Sequence, residues 1–411
     1  MRRLKIAFLS YRSSPLSGGQ GIYLKHVCEA LVTQGHEVTV FSGKPLPILD
    51  RNIHVEEVDT PGYFETFLFK DRVEIFKALK HKSFLEIEDF LKTLLGVFTE
   101  PIFFGQRLSE NKKFKELKDS FDIFHDNQSI SQYPRFVHEK LVTTLHHPIH
   151  VDRDLDLRFE ESFLSRLAIR QWYSFLNFQK KSLKQSRLVI TPSHNSKKDI
   201  QKYFDVNPDA IEVIWNGINA LEYKNPAQSD FKYRLISIVS SDVPMKNLSN
   251  LLKGFALAKN KEPKLSLTVV GDIREKNKNL ISSLGLDSSI HYRSKVSNEE
   301  LLSELRSSDI GISGSLYEGF GFPLVEMISC GLPVIVSERG SLPELMGEAG
   351  LSFNPDDAKD LCAKIMNMVN DVQLREDSIQ KSIQRRGDFF GWDEYAMKLT
   401  NLYQKITNGY I

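Results

Sequence analysis

Short unbroken apolar runs alternate along this chain with longer stretches in which apolar residues recur every three or four positions. The first run, Ile6–Ser10, is apolar on both faces, which predicts a fully buried strand. A loop rich in Ser and Gly follows, YRSSPLSGGQG. Ile22, Val27, Ala30 and Leu31 then share one face of a predicted helix that stops at Gly35, a residue suited to a helix C-terminus. EVTVFSG reads as a second strand. Strand, glycine loop, helix and strand make a βαβ unit of about forty residues, so a parallel sheet is expected.

Residues 60–120 are less regular and rich in Phe and Lys, and FKDRVEIFKALKHKSFLEIEDFLKTLL reads as amphipathic helix. FDIFHD, KLVTTLHH and SRLVITPS read as further strands, the last after a helical region over Arg158–Lys184, and IEVIWNGIN closes this half. The chain turns polar at EYKNPAQSD, where the domain boundary is placed. Residues 1–225 form the expected N-terminal domain, 226–389 the C-terminal domain, and 390–411 pack back onto the first. In the second half YRLISIVSS, LSLTVVGD, SIHYRS, DIGISGS and LPVIVSE read as strands. NLSNLLKGFALAKN and NEELLSELRSS read as helices, the latter capped by Asn298, and FGWDEYAMKLTNLYQKI as a final amphipathic helix. The fold class is α/β, with two Rossmann-like halves.

Composition narrows this picture. A chain of 411 residues with 41% hydrophobic residues holds two packed domains and is not disordered. A net charge of +1 provides no global field for nucleic acid. Cys28, Cys330 and Cys362 form no CxxC pair or metal cluster, and two of them sit in apolar helical patterns. Buried thiols and a reducing, cytoplasmic setting are expected. The apolar run near the N-terminus is too short for a signal peptide, and no stretch reaches the length of a membrane span.

The chemistry concentrates in SLYEGFGFPLVEMISCGLP, Ser315–Pro333. Proline in a first turn and glycine past the end predict a helix over Pro323–Cys330. Its N-terminus and the bare backbone at Gly319 and Gly321 form a cradle for phosphate. Glu318 and Glu326 would repel phosphate, so they must face neutral hydroxyls, and carboxylates grip vicinal diols well. Phosphate on amides with diols on two acids describes a nucleotide sugar. On the bland reading Glu318 is a surface loop residue and Glu326 serves the helix dipole.

This stretch, continued through GLPVIVSERGSLPELMGEAGLSFNP, resembles the donor-site signature of family 4 glycosyltransferases, in which two glutamates stand seven residues apart around a Gly-Phe-Gly loop. The likeness covers most of residues 1–20, 140–220 and 235–405 and fades between 45 and 120. It implies a GT-B fold: two Rossmann-like domains facing across a deep cleft, with a C-terminal helix crossing back. It implies a retaining transfer of sugar from a nucleoside diphosphate to an acceptor hydroxyl on a glycan, a lipid-linked sugar or a small glycoside. By the resemblance Glu318 holds donor-sugar hydroxyls and Glu326 the ribose. The amides of Gly319, Phe320 and Gly321 line sugar and phosphates, with Phe322, Leu324 and Val325 following at the helix N-terminus. Lys246 matches the family's phosphate-binding lysine, while Ser241 stands where the family has an arginine. Gly18 and Gly19 correspond to a glycine loop facing the diphosphate, and His146, with His147 second, to a histidine beside the reacting sugar, where it donates to a hydroxyl or stabilises charge. Asn219 replaces the family's acid, and Trp392 is expected to pack. No DxD motif stands in a suggestive place, so no metal or cofactor is expected beyond the nucleotide-sugar co-substrate.

Three rivals stay in view. A nicotinamide-dependent dehydrogenase lacks the third glycine of its fingerprint and the acid after the second strand. A nucleotide-sugar epimerase or phosphorylase, or a catalytically degenerate binding subunit, would share the scaffold. The basic and aromatic helix in residues 60–120 fits an acceptor-side cap better than peripheral contact at the inner membrane face, because acids interrupt it at Asp71, Glu74, Glu86, Glu88 and Asp89.

Overall fold

The computed structural model describes residues 2–13, 19–66, 68–223 and 230–410. Gly18 and most of the polar stretch chosen as the domain boundary lie outside the described residues. The chain divides into two compact units: Met1–Pro192, Ser196–Ile214 and Trp392–Ile411 make unit 1, and Ser193–Asn195 with Trp215–Gly391 make unit 2.

Unit 1 is built on a seven-stranded parallel sheet of β1 (Lys5–Ser10), β2 (Glu37–Ser42), β3 (His54–Glu57), β4 (Ile123–Asn127), β5 (Leu141–Thr144), β6 (Leu188–Thr191) and β7 (Ile211–Val213). Their spatial order is β3-β2-β1-β4-β5-β6-β7. Unit 2 carries six parallel strands, β8 (Arg234–Ser241), β9 (Ser266–Asp272), β10 (Ile290–Arg293), β11 (Ile310–Ser313), β12 (Val334–Ser337) and β13 (Gly350–Phe353), ordered β10-β9-β8-β11-β12-β13. The winding reverses between β1 and β4 in one sheet and between β8 and β11 in the other. In open parallel sheets ligands bind beyond the strand C-termini at such reversals, because the two flanking loops part there. The run Ile6–Ser10 is buried throughout as expected, and β4, β5, β6 and β12 are buried along their whole length even where β4 and β5 carry polar residues. At the sheet edge β10 buries only its first residue.

Helices differ from the sequence reading at their breaks. The stretch read as one helix from Phe69 is two, Phe69–Ala78 and Phe84–Leu94, and Ser83 caps the second by accepting the Glu86 N–H at 3.3 Å. The region Arg158–Lys184 splits likewise, because Ser162 caps a new helix, Phe163–Trp172, after His150–Phe159 ends. Helix Asn298–Ser307 is capped by Ser297, one residue earlier than read, in a reciprocal box with Glu300.

The final helix, Trp392–Thr407, belongs to unit 1 although it is its most distant segment in sequence. Buried hydroxyls need partners, and here they hold the helix. The Tyr23 hydroxyl lies 2.9 Å from both Thr144 Oγ1 and the Tyr395 hydroxyl. His125 spans Thr144 Oγ1 and the Tyr403 hydroxyl. His36 Nδ1 accepts the Leu4 N–H, so its Nε2–H donates to Thr400 Oγ1 at 3.0 Å. Trp392 packs as expected, stacked on His26 and edge-on to Tyr23. Tyr395→Phe, which leaves this column with one bond fewer, is expected to lower unit 1 stability by about 1 kcal/mol in denaturant unfolding.

Candidate functional site

In unit 2 the loops that follow β8 and β11 meet at the sheet reversal. The β8 loop passes through a short 3-10 turn, Pro244–Lys246, to Asn247 in the left-handed region at φ 53°. Asn247 Nδ2 donates to the carbonyls of Gly314 and Pro355, and the Leu316 N–H donates to the Met245 carbonyl at 2.7 Å. So fastened, Lys246 Nζ lies 2.6 Å from Glu318 Oε1, with the two side chains only 10% and 14% exposed. Ser315 Oγ donates to the same oxygen at 2.7 Å. Among the described residues every hydrogen bond given to this carboxylate falls on Oε1, which leaves Oε2 as an acceptor. One of the three ammonium N–H groups is used, which leaves two.

Behind the loop, Gly340 packs directly on the Glu318 backbone. It sits at φ +62°, and a Cβ there would lie 2.7 Å from Glu318 N. The Ser341 N–H donates to the Glu318 carbonyl at 3.2 Å, and its hydroxyl to the Phe320 carbonyl. Gly321, at φ +103°, turns the chain into helix Phe322–Ser329, which has Pro323 in its first turn and no side-chain cap. The helix starts and ends one residue before the sequence reading.

Structure sorts the residues that the resemblance grouped here. Leu324 and Val325 are fully buried in the apolar core, and their N–H groups both donate to the Gly321 carbonyl. Their side chains support the turn from the core side. Phe320 is also core, edge-on to the partly buried Phe322. Gly319 stands in the loop before them. Ser241 ends β8 exposed to solvent, and its carbonyl accepts the Val243 N–H. Its neighbour Asp242 is buried and holds Asn277 Nδ2 and the Arg274 N–H.

Glu326 occupies the next turn of the same helix in different surroundings. Among the described residues no cation pairs with it; the Tyr223 hydroxyl donates to its Oε1 at 3.2 Å. Burial pushes its carboxyl up to about 7, against the opposing pull of that one hydrogen bond. The same desolvation and the facing acid hold the Tyr223 hydroxyl well above its usual range. Tyr223, Ser315 and Gly340 were not singled out in the sequence: Tyr223 is distant along the chain, and only tertiary packing shows what the other two touch.

In unit 1 the corresponding reversal gathers uncharged groups. Gly19 opens helix Gly19–Thr33, and Gln20 Nε2 donates to the Asn127 carbonyl at 2.6 Å. Gln128 clasps the next loop, accepting the His146 N–H and donating to the His147 carbonyl. His146 Nε2 lies 2.9 Å from Asn127 Oδ1. The Asn127 amide nitrogen is turned to Ser10 and Gln20 instead, so Nε2–H is the donor. Burial pushes His146 down to about 3, which keeps the ring neutral. This corrects the role drawn for it: the remaining nitrogen, Nδ1, can accept a hydroxyl proton but cannot donate, and the ring carries no charge. His147 is paired with Asp152 at 2.8 Å.

Residues 17–220 match the family described as Glycosyltransferase Family 4, and residues 220–385 that described as Glycosyl transferases group 1. The chain is similar to the MMP alpha-(1->4)-mannosyltransferase of Mycolicibacterium hassiacum, 31% identical over 410 residues covering 98% of both chains. Among solved structures it resembles sucrose-phosphate synthase from Thermosynechococcus elongatus, with a TM-score of 0.71 at 17% identity over 99% of this chain and 100% of the other. It also resembles Anabaena HepE in complex with UDP and glucose, with a TM-score of 0.66 at 15% identity over 98% of this chain and 100% of that one. These likenesses show the GT-B fold.

Removing one partner of a buried ion pair strands the other, which typically costs about 3 kcal/mol. Lys246→Met is therefore expected to destabilise unit 2 by about that amount, and Lys246→Met with Glu318→Gln to recover most of it. Urea unfolding of the two single variants and the double variant measures the coupling.

Proposed function

The chain belongs to glycosyltransferase family 4, a nucleotide-sugar-dependent glycosyltransferase of the GT-B fold, and we propose that it moves a hexosyl group with retained anomeric configuration onto an acceptor hydroxyl, holding the donor on unit 2. The observation that carries this reading is the Lys246–Glu318 pair at the β8/β11 reversal. The two spare N–H groups of Lys246 take diphosphate oxygens, and Glu318 Oε2 accepts from a donor-sugar hydroxyl. Glu326 Oε2 accepts from the ribose diol while Tyr223 retains Oε1.

The reaction breaks the bond between the anomeric carbon and the diphosphate oxygen. Positive charge develops on the sugar and negative charge on the leaving diphosphate. A fixed ammonium and backbone amides stabilise that negative charge without reorganising, which is why such groups dominate catalysis of this kind. With Ser241 in place of arginine, Lys246 is the cation that matters most at this point. A leaving-group oxygen takes the acceptor proton, so no side-chain nucleophile is needed. Neutral His146, in unit 1, accepts from a substrate hydroxyl through Nδ1. Transfer without a metal ion is part of the proposal.

The mannosyl relative makes a mannosyl donor the first to test, and the UDP and glucose held by HepE make UDP-glucose the second. Thermal shift with GDP-mannose, UDP-glucose and ADP-glucose selects the donor. Nucleoside diphosphate release that requires an acceptor supports transfer, whereas release with phosphate alone, or an epimerised donor, overturns it. Product anomer by NMR tests retention, and activity in EDTA tests metal independence. Lys246→Ala is expected to lower kcat at least about a hundredfold. A Glu318→Ala variant as active as the wild type would refute the site.

A pH dependence follows from Glu326. Its carboxyl titrates near 7, so it is largely protonated below that and a full double acceptor above it. Donor Kd is expected to tighten as pH rises from about 6 to about 8 and then to level. Glu326→Gln should flatten the profile. Tyr223→Phe, which removes a bond favouring the charged form, should move it to higher pH.

A further inference from the structure

Away from this site, unit 1 leaves two amphipathic helices with apolar faces in the open. On Phe84–Leu94, Phe84 and Leu91 share one face, and Leu95 continues it. On Phe163–Trp172 the exposed large apolar residues are Phe163, Leu164 and Leu167. Phe84, Phe163 and Leu164 are 82%, 71% and 76% exposed. Scattered exposed apolar residues are ordinary, but paired stripes of this kind mark an interaction surface. The segment that follows the first helix reaches the last residue of the second: the Phe98 N–H donates to the Trp172 carbonyl at 3.4 Å, and those rings stack 5.2 Å apart.

Charge identifies the occupant. In sequence the acids of this region argue against an anionic partner, but in the structure those on helix Phe84–Leu94 are paired with cations, while Glu160 and Glu161 remain before Phe163. Arg107 draws in Glu86 through two bonds, 2.6 and 2.9 Å, and Asp89 at 2.8 Å. Glu88 is paired with Lys92 at 2.7 Å, Glu74 with Lys70 at 4.0 Å, and Asp71 accepts from Thr66. Lys77, in the last turn of helix Phe69–Ala78, and Lys80 and Lys82, on the turn leading to Phe84, have no acid partner among the described residues, although the Lys82 ammonium also donates to the Lys77 and Leu79 carbonyls. A basic rim beside an exposed aromatic tip complements an anionic lipid surface. A second copy of the chain would bring the same unmatched cations face to face, which is repulsive.

We propose that this face docks unit 1 onto an anionic lipid membrane, with Phe84, Leu91 and the apolar residues of Phe163–Trp172 entering the headgroup boundary and Lys77, Lys80 and Lys82 meeting lipid phosphates. The proposal is independent of the donor reading and fails or stands separately from it.

Cosedimentation of the full chain with sucrose-loaded vesicles tests it, using phosphatidylcholine alone and phosphatidylcholine with one third phosphatidylglycerol. Wild type is expected to sediment with the anionic vesicles and to be released by salt. Lys80→Glu with Lys82→Glu should lower the partition coefficient about tenfold or more. Phe84→Ser with Leu91→Ser should lower it comparably, and both variants should keep the wild-type thermal shift with donor. Absence of binding to anionic vesicles, equal binding to phosphatidylcholine alone, or insensitivity to both variants overturns the proposal. So does a wild-type dimer in light scattering that Phe84→Ser dissolves.

Discussion

A buried ammonium needs an anion, and in unit 2 that requirement joins two loops that are more than seventy residues apart. Lys246 Nζ and Glu318 Oε1, 72 positions apart in sequence, lie 2.6 Å apart at the reversal of the sheet. Neither group is tolerable alone at this depth. The backbone supports the pairing from both sides, through Asn247 and Leu316 in front and Gly340 and Ser341 behind. The result is a fixed charge distribution in which each partner keeps unused hydrogen-bonding capacity facing the strand ends. A phosphoryl group and a sugar hydroxyl are the substrates whose chemistry matches that residue of capacity: acceptors for the ammonium, a donor for the carboxylate.

The second acid shows how surroundings divide two identical side chains into two roles. Glu318, in the loop, has a cation and a serine; Glu326, eight residues on and inside the helix, has only a tyrosine hydroxyl among the described residues and is pushed up to about 7. The raised value at Glu326 limits the cost of an uncompensated buried charge there, and in the proposed reading a diol would supply the hydrogen bonds that the ionised form lacks. Unit 1 solves the matching problem without charge. Its reversal is lined by Asn127, Gln128 and a neutral His146, over a column of hydroxyls and imidazole that runs through Tyr23, Thr144 and His125 to the final helix. Every polar group in that column has a partner, so the helix that returns from the far end of the chain is held by specific contacts as well as by apolar area.

Sequence pattern was sufficient for most of the strands, for the α/β class and for the turn at Gly321, because period and turn chemistry are local, but the short edge strands β3 and β13 are not distinguished by it. The spacing of Glu318 and Glu326 around a glycine loop is local too, and it carried the donor-site reading before any fold was known. What could not be read were the properties set by neighbours from elsewhere in the chain. The helix breaks at Ser83 and Ser162 were hidden because a serine that caps and a serine on a helix surface look alike until the chain bends. Leu324 and Val325 follow the motif at the helix N-terminus, but that their side chains lie in the core is decided by packing against distant segments.

Charge is where tertiary structure changed the reading most. In sequence Glu86 and Asp89 dilute the basic character of residues 60–120, but folding turns them inward to Arg107 and leaves lysines outside. In sequence His146 is a donor or a cation in waiting; burial and Asn127 make it a neutral acceptor. The order of apolar, small and charged residues along the chain determines which elements form and which residues stand at the strand ends, since those depend on neighbours a few positions away. Protonation, pairing and the direction each side chain faces depend on groups brought together from distant positions, and only the folded chain decides them.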